Sequence, residues 1–175
     1  KYIDACSAFL RQYEDLTKDR FWFLILVGPS QTGKSQFAEY GLGFKNPCVI
    51  EGGFIMSSYD ERAHDAIIFS DTPGLKDLII RYKALFQSNK HPTCVGESQT
   101  NCYSINIRNF RKPIVVTLND DAGEEWDQMK DHSWIKSNTY RVIVNDQMWE
   151  EPADTEEPSQ RDIDEQERAA SWQED

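Results

Sequence analysis

Residues 28–35 read GPSQTGKS, in which two glycines five positions apart are followed by a lysine and a hydroxyl residue. Gly28 and Gly33 allow backbone angles that a side chain disfavours, so that the loop amides can point inward around an anion. Lys34 would then reach the terminal phosphates of a nucleotide, and the Ser35 hydroxyl would hold Mg²⁺. The pattern predicts a phosphate-binding loop made of Gly28, Pro29, Ser30, Gln31, Thr32, Gly33, Lys34 and Ser35.

The sequence on either side of this loop predicts a strand before it and a helix after it. Every residue from Phe21 to Val27 is apolar and most are aromatic or branched, as in a strand buried on both faces of a parallel sheet. Residues Ser35 to Tyr40 are typical of the start of a helix. A helix N-terminus adds backbone N–H groups that favour a bound anion. The loop therefore has the neighbours that phosphate binding requires.

The second candidate is Asp71, which follows an apolar run in the segment AIIFSDTPG. A carboxylate at the end of a neighbouring strand could hold Mg²⁺ and orient or deprotonate the attacking water in a nucleotide hydrolase. In this interpretation Ser70 and Asp71 occupy the two positions of a paired acidic element. The alternative takes residues 71–74, DTPG, as the D-x-x-G element of a GTPase, in which the amide of Gly74 senses the γ-phosphate.

The segment VVTLNDD bears on the choice between these interpretations. A GTPase predicts an N-K-x-D guanine-recognition element after a later strand, but Asn119 is followed by Asp120 and Asp121, with no lysine to cover the base. A polar side chain at a strand end could instead position the γ-phosphate or the water, and Asn119 supplies one. The candidate catalytic residues are therefore Lys34, Asp71 and Asn119, and the candidate metal ligands are Ser35 and Asp71.

Apolar runs and helical spacing elsewhere predict a three-layer α/β fold around a mainly parallel sheet. Short apolar runs at residues 48–50, 66–69, 114–118 and 141–144 predict further strands. Apolar residues recur at helical spacing from Tyr2 to Leu16, which predicts an N-terminal helix that packs on the domain, and again from Leu75 to Phe86. The predicted units are an N-terminal helix at 1–19, a domain at 20–149 and a tail at 150–175.

Charge is concentrated at the C-terminal end of the chain. The net charge is −11, but residues 1–145 carry 17 basic and 18 acidic side chains, whereas residues 146–175 carry 12 acidic side chains against two arginines. The acid-rich segment has few large apolar residues to offset the entropy of ordering. We therefore expect residues 150–175 to be a disordered acidic tail, and the nearly neutral remainder does not exclude binding to nucleic acid.

Neither cysteines nor apolar runs indicate a metal centre or a membrane span. The cysteines lie at positions 6, 48, 94 and 102, a spacing that matches no zinc motif or compact disulfide framework, so we expect reduced thiols. The longest apolar run has seven residues, against about 20 for a bilayer span. We expect a soluble protein without a membrane partner.

Four elements in order resemble the superfamily 3 helicase domain of the replication-associated (Rep) proteins of small circular single-stranded DNA viruses and their integrated relatives. These elements are GPSQTGKS, AIIFSD, a segment rich in Arg and Lys, and KPIVVTLND. The resemblance covers about residues 20–145. It implies a three-layer P-loop NTPase that uses ATP, forms a ring, typically a hexamer with nucleotide between subunits, and moves along DNA.

The resemblance also implies roles for individual residues. The Walker A role falls on the loop at 28–35, the Walker B role on Asp71 and the sensor role on Asn119. The stretch from Gln99 to Lys112 would form a DNA-facing hairpin, with Arg108, Arg111 and Lys112 available for phosphates or as an arginine finger. The implied cofactors are ATP and Mg²⁺, and the implied partners are single-stranded DNA and further copies of the chain. The implied location is intracellular, and nuclear in a eukaryotic source.

One position departs from the family pattern. Members of the family usually end the second motif in two acids, and here Ser70 stands in the first position. A serine cannot hold Mg²⁺ through an ionised group. A catalytically weakened nucleotide-binding module is therefore an alternative to the active ATPase, as is the GTPase that uses residues 71–74.

Overall fold

The computed structural model describes residues 2–96, 104–120 and 125–148. The strands are β1 (Phe23–Gly28), β2 (Pro47–Glu51), β3 (Ala66–Ser70), β4 (Thr93–Gly96), β5 (Ser104–Ile107), β6 (Ile114–Asn119) and β7 (Thr139–Ile143). The α-helices are α1 (Tyr2–Arg11), α2 (Lys34–Gln36), α3 (Leu75–Arg81), α4 (Lys83–Phe86), α5 (Glu125–Met129) and α6 (Ser133–Ser137). A π-helical turn, Phe37–Gly41, continues α2, and 3₁₀ turns lie at Gln12–Glu14 and Met56–Ser58.

Five strands form one parallel sheet in the order β2-β3-β6-β1-β7. The strand β6 therefore lies between β1, which precedes the glycine-rich loop, and β3, which precedes Asp71. All six residues of β1 and all five of β3 are buried, as the apolar runs predict. The predicted α/β class, the mainly parallel sheet and the N-terminal helix are confirmed.

Alternating side chains of the sheet build two apolar layers, one on each face. In β1, Phe23, Ile25 and Val27 point to a cluster that also contains buried residues of α3 to α6. Leu24 and Leu26 point to the other cluster, which contains residues of α1 and of the π-helical turn. Because side chains alternate along a strand, this second face is also the face of Ser70, Thr117 and Asn119.

An N-terminal helix that packs on the domain is confirmed, but it is shorter than the predicted unit at 1–19. It ends at Arg11, and the 3₁₀ turn extends it to Glu14. Phe9 is fully buried in the cluster on the second face. Ile3 and Leu16, which belong to the predicted apolar stripe, are instead exposed at opposite ends of the segment.

A two-stranded antiparallel hairpin of β4 and β5 stands apart from the central sheet. It begins at Thr93, earlier than the predicted Gln99, and its second strand ends at Ile107 rather than continuing to Lys112. Residues 97–103, where the predicted hairpin begins, lie outside the described residues. The apolar side chains Val95 and Ile107 are buried against the main cluster, which fixes one face of the hairpin on the domain.

Two helical segments differ from their sequence-based predictions. The predicted helix from Leu75 to Phe86 is broken at Tyr82, whose backbone leaves the helical region and whose ring stacks on Phe54 at a centroid distance of 5.2 Å. The short helices α5 and α6 were not predicted. Within the described ranges, no helix is both long and apolar enough to cross a bilayer. The predicted tail at 150–175 lies outside those ranges.

Candidate functional site

The carboxyl ends of three neighbouring parallel strands bring the candidate residues to one edge of the sheet. Gly28 at the end of β1 pairs with Asn119 at the end of β6. Ser70 at the end of β3 pairs with Thr117 of β6. The register therefore places the glycine-rich loop, Asp71 and Asn119 close together at one edge of the sheet, although they are far apart in sequence.

Two glycines shape the loop for different reasons. A Cβ atom at Gly28 would lie 2.1 Å from the carbonyl oxygen of Val144, so the backbone after β7 approaches too closely for any side chain. Gly33 has φ of 81°, a left-handed angle that side chains disfavour. The segment after β7 also supports the loop directly, since Met148 N–H donates to the Thr32 carbonyl at 2.9 Å.

The Lys34 side chain folds back beneath its own loop. Its ammonium donates to the carbonyl oxygens of Gly28 at 2.9 Å and Pro29 at 2.5 Å, and to Thr32 Oγ1 at 3.3 Å. The residue is 6% exposed, and a buried ammonium requires such acceptors. The loop thus keeps a positive charge next to the amides that would face an anion.

Three hydroxyl side chains form a cluster beside the loop, which we call the hydroxyl cluster: Ser35, Ser70 and Thr117. The oxygens of Ser35 and Ser70 share a hydrogen bond of 2.9 Å, and Thr117 donates to Ser70 at 3.2 Å. Ser35 and Thr117 lie 3.4 Å apart. Ser70 and Thr117 are each 2% exposed, so this cluster is largely closed to solvent.

A cleft of about 340 Å³ lies over these groups. It is lined by Ser30, Gln31, Gly33, Lys34, Ser35, Gln36, Asp71, Thr117 and Asn119. The three candidate catalytic residues are therefore brought together, as are five residues of the predicted loop. Gly28, Pro29 and Thr32 support the loop from below instead. Gln36 and Thr117 line the cleft without having been predicted.

The turn after Asp71 is held by a carboxylate from another element. Asp71 is exposed, with φ of 47°, and the chain then enters α3 at Gly74. Glu125 accepts hydrogen bonds from the N–H groups of Gly74 at 2.7 Å and Lys76 at 3.1 Å. The carboxylate thus caps the first turn of α3 and fixes the path of the chain as it leaves the cleft.

The basic candidates Arg108, Arg111 and Lys112 lie away from this cleft. They precede β6, whose length places roughly 17 Å between its first residue and Asn119. The Arg111 guanidinium donates to the backbone oxygens of Tyr13 and Asp15 and lies 5.5 Å from the ring centre of Phe21. These contacts give Arg111 a structural role at the 3₁₀ turn that follows α1, whereas Arg108 is exposed.

Sequence reasoning overlooked Thr117 and Glu125. Thr117 stands two residues before Asn119 on the same strand, so strand alternation could have placed both on one face. Glu125 is 51 residues from Gly74, and no local pattern connects them. From the sequence, Ser70 stands out only because it occupies a position where an acid is expected. The structure shows in addition that its hydroxyl contacts Ser35.

The arrangement suits an anion with several oxygens. Backbone amides, one ammonium and several hydroxyls are donors, while Asp71 and Asn119 contribute acceptor oxygens across the cleft. Comparisons with known proteins add no relative, because no protein-family model and no curated protein matches the chain.

Proposed function

We propose that this chain is an ATP-binding P-loop NTPase domain of helicase type that acts on DNA. The observation that carries the proposal is the convergence of the glycine-rich loop, Asp71 and Asn119 on one cleft. The loop amides and Lys34 would bind the β- and γ-phosphates, and Ser35 would lie beside them. Mg²⁺ would enter with the nucleotide, and its contacts on the protein would come from Ser35 and Asp71.

Asp71 and Asn119 would act on the γ-phosphate end of the nucleotide. Asp71 would orient or deprotonate the attacking water, which requires an exposed carboxylate near the phosphate. Asn119 pairs in register with Gly28, so its amide would lie beside the loop rather than out at the base. Because β6 lies between β1 and β3, Asn119 is also well placed to sense whether the γ-phosphate is present.

The GTPase alternative is less well supported by the same geometry. Its γ-phosphate sensor would be the amide of Gly74, but that N–H donates to Glu125 at 2.7 Å. Its base-recognition asparagine would be Asn119, which lines the phosphate cleft. To serve a guanine nucleotide, the Gly74 amide would have to leave Glu125, and Asn119 would have to contact the base instead of the phosphate cleft.

The proposal includes single-stranded DNA as a partner and a ring of identical chains. One face of the β4–β5 hairpin, with Val95 and Ile107, is buried against the domain, and Arg108 follows the hairpin as an exposed cation. A hairpin fixed to the domain by one face can present its other face to a DNA strand, and a cation near it favours phosphate. In a ring, Arg108, which is remote from the cleft of its own chain, could reach the cleft of a neighbouring copy.

The first experiment is a competition between ATP and GTP for a fluorescent ATP analogue, followed by hydrolysis assays with and without single-stranded DNA. We expect ATP to bind more tightly than GTP and DNA to accelerate hydrolysis. Lys136→Ala, which removes an exposed lysine on α6, is the matched control for Lys34→Ala. Equal or tighter binding of GTP would reject the ATPase assignment. Measurable ATP binding without turnover would select the catalytically weakened module.

A further inference from the structure

The inference concerns the turn that carries Asp71 from β3 into α3, and it rests on the proposed ATP hydrolysis. Two residues of this turn have left-handed backbone angles, Asp71 with φ of 47° and Gly74 with φ of 66°. A glycine adopts this region readily, but an aspartate does so at a cost in free energy. Such an angle persists only where the surrounding structure imposes it. The contacts that hold the turn therefore decide where the Asp71 carboxylate lies.

The turn is anchored on both sides of Asp71. Ser70 and Thr72 are 2% and 3% exposed, whereas Asp71 between them is exposed and lines the cleft. At the far end, the Glu125 carboxylate accepts from the N–H of Gly74 at 2.7 Å and from a second N–H in the first turn of α3 at 3.1 Å. One carboxylate thus fixes both the last residue of the turn and the start of the helix.

Glu125 is itself held by the core of the domain. It is the first residue of α5 and stands six residues after Asn119, at the end of β6. In the same helix Met129 is fully buried in the main cluster, and Trp126 packs against that cluster. The Arg141 guanidinium lies 5.5 Å from the centre of the Trp126 ring, which connects α5 with β7. The carboxylate is therefore a fixed acceptor rather than a mobile surface side chain.

We propose that Glu125 is a positioning residue for ATP hydrolysis, which holds the turn so that the Asp71 carboxylate stays in the cleft with Ser35 and Asn119. In the described part of the chain Glu125 does not line the cleft, so it acts through Asp71 and not on the nucleotide. Without its two hydrogen bonds the turn can relax toward ordinary backbone angles, and the direction of the Asp71 side chain changes with them. A displacement of about 1 Å can cost a catalytic group roughly a hundredfold in rate. The hydrogen bonds that hold the phosphate-binding loop come from its own residues and from Met148, so ATP affinity should be retained.

The test uses the full 175-residue chain and measures two quantities, the dissociation constant of a non-hydrolysable ATP analogue by calorimetry and the turnover number for ATP hydrolysis. For Glu125→Ala we expect turnover to fall about tenfold or more, while the dissociation constant changes by less than about threefold. Glu125→Gln keeps one carbonyl oxygen as an acceptor and should retain at least about a third of the wild-type turnover. Asp127→Ala on the same helix is the control and should match the wild type in both quantities. Melting curves establish folding, and if Glu125→Ala does not fold, Glu125→Asp, which is one methylene shorter, is held to the same expectation.

The outcomes separate this inference from the proposed function. Wild-type turnover in folded Glu125→Ala would overturn the positioning role, as would a loss of affinity as large as the loss of turnover. Turnover in Glu125→Gln as low as in Glu125→Ala would overturn it as well. A wild type that binds the analogue without hydrolysing ATP would support nucleotide binding but overturn the inference, because no reaction would remain for Asp71 to serve. Absence of analogue binding by the folded wild type would overturn both.

Discussion

At the scale of single residues, the cleft is lined by two side chains with unusual backbone angles. Gln31 has φ of 63° and Asp71 has φ of 47°, and neither is a glycine. A left-handed angle costs such residues roughly 1–2 kcal/mol. Strain of this kind is often found at functional sites, where surrounding structure imposes it. Its occurrence on both sides of the cleft supports the choice of this site.

Replacing Gln31 with glycine should therefore stabilise the fold. Relief of the left-handed angle should outweigh the added backbone entropy of the unfolded chain, with a net gain of about 0.5–1 kcal/mol in the free energy of unfolding. Urea unfolding measures this difference. The control is Gly33→Ala, which places a side chain at φ of 81° and should lower the same free energy by about 1–2 kcal/mol. A lower free energy of unfolding in Gln31→Gly would contradict the prediction that the backbone angle of Gln31 is strained.

Residue types favour a phosphate-binding loop at 28–35, but they do not predict the contacts between distant residues. The spacing of Gly28, Gly33 and Lys34 indicates a phosphate loop because few other arrangements need those residue types together. That Lys34 would turn back onto its own carbonyls could not be predicted, since no pattern states where a flexible ammonium finds acceptors. The contact between Ser35 and Ser70 likewise depends on the strand order.

At the scale of elements, Glu125 on α5 holds the first turn of α3, the helix that follows Asp71. Its carboxylate caps the first turn of α3, which begins at Leu75, four residues after Asp71. Glu125→Ala leaves two amides without this acceptor and should lower the free energy of unfolding by about 1–2 kcal/mol. Chemical denaturation tests this. Asp127→Ala on the same helix removes an exposed ion pair with Lys130. It should change the free energy of unfolding by less than about 1 kcal/mol. Equal effects of the two substitutions would contradict the capping role.

Gln12 makes a comparable connection between the N-terminal segment and Trp22, the residue before β1. Its side-chain amide donates to the Trp22 carbonyl at 2.7 Å and accepts from the Trp22 N–H at 2.8 Å. Gln12→Ala breaks both bonds and should lower the free energy of unfolding by about 1–3 kcal/mol. Gln147→Ala, at an exposed position after β7, serves as the reference in thermal melts. Similar melting temperatures for the two variants would show that the bridge contributes little.

The buried strands of the central sheet were predicted better from the sequence than the short helices and the hairpin. β1, β3 and β6 are mostly apolar because helices cover both faces of the sheet, and each was predicted close to its observed bounds. The helices α5 and α6 have only five residues each, too few for a helical repeat to stand out. The strand β4 has four residues and pairs only with β5, so its start was missed.

At the scale of the whole molecule, the strand order creates the site. The loop, Asp71 and Asn119 come from three strands that become neighbours only because β6 inserts between β1 and β3. The sequence predicted a parallel sheet but not this order, which depends on long-range packing. Because the loop, Asp71 and Asn119 lie far apart in sequence, local spacing alone could not predict that they would meet.

Removal of residues 150–175 tests whether the described domain is sufficient for folding. The segment is acidic and has few large apolar residues, so its loss should remove little buried apolar area. We expect the melting temperature to shift by less than about 2 °C in calorimetry. A decrease of about 5 °C or more would show that the segment packs on the domain.

The most direct test of the central proposal is calorimetric titration of ATP into the wild type and Lys34→Ala. The buried ammonium of Lys34 lies within the loop, and its loss should weaken ATP binding by about tenfold or more. The control Lys136→Ala should bind ATP like the wild type. Saturable ATP binding that depends on Lys34 is the predicted result. Absence of saturable binding by the folded wild type, or unchanged affinity in folded Lys34→Ala, would contradict the assignment of the cleft as a nucleotide site.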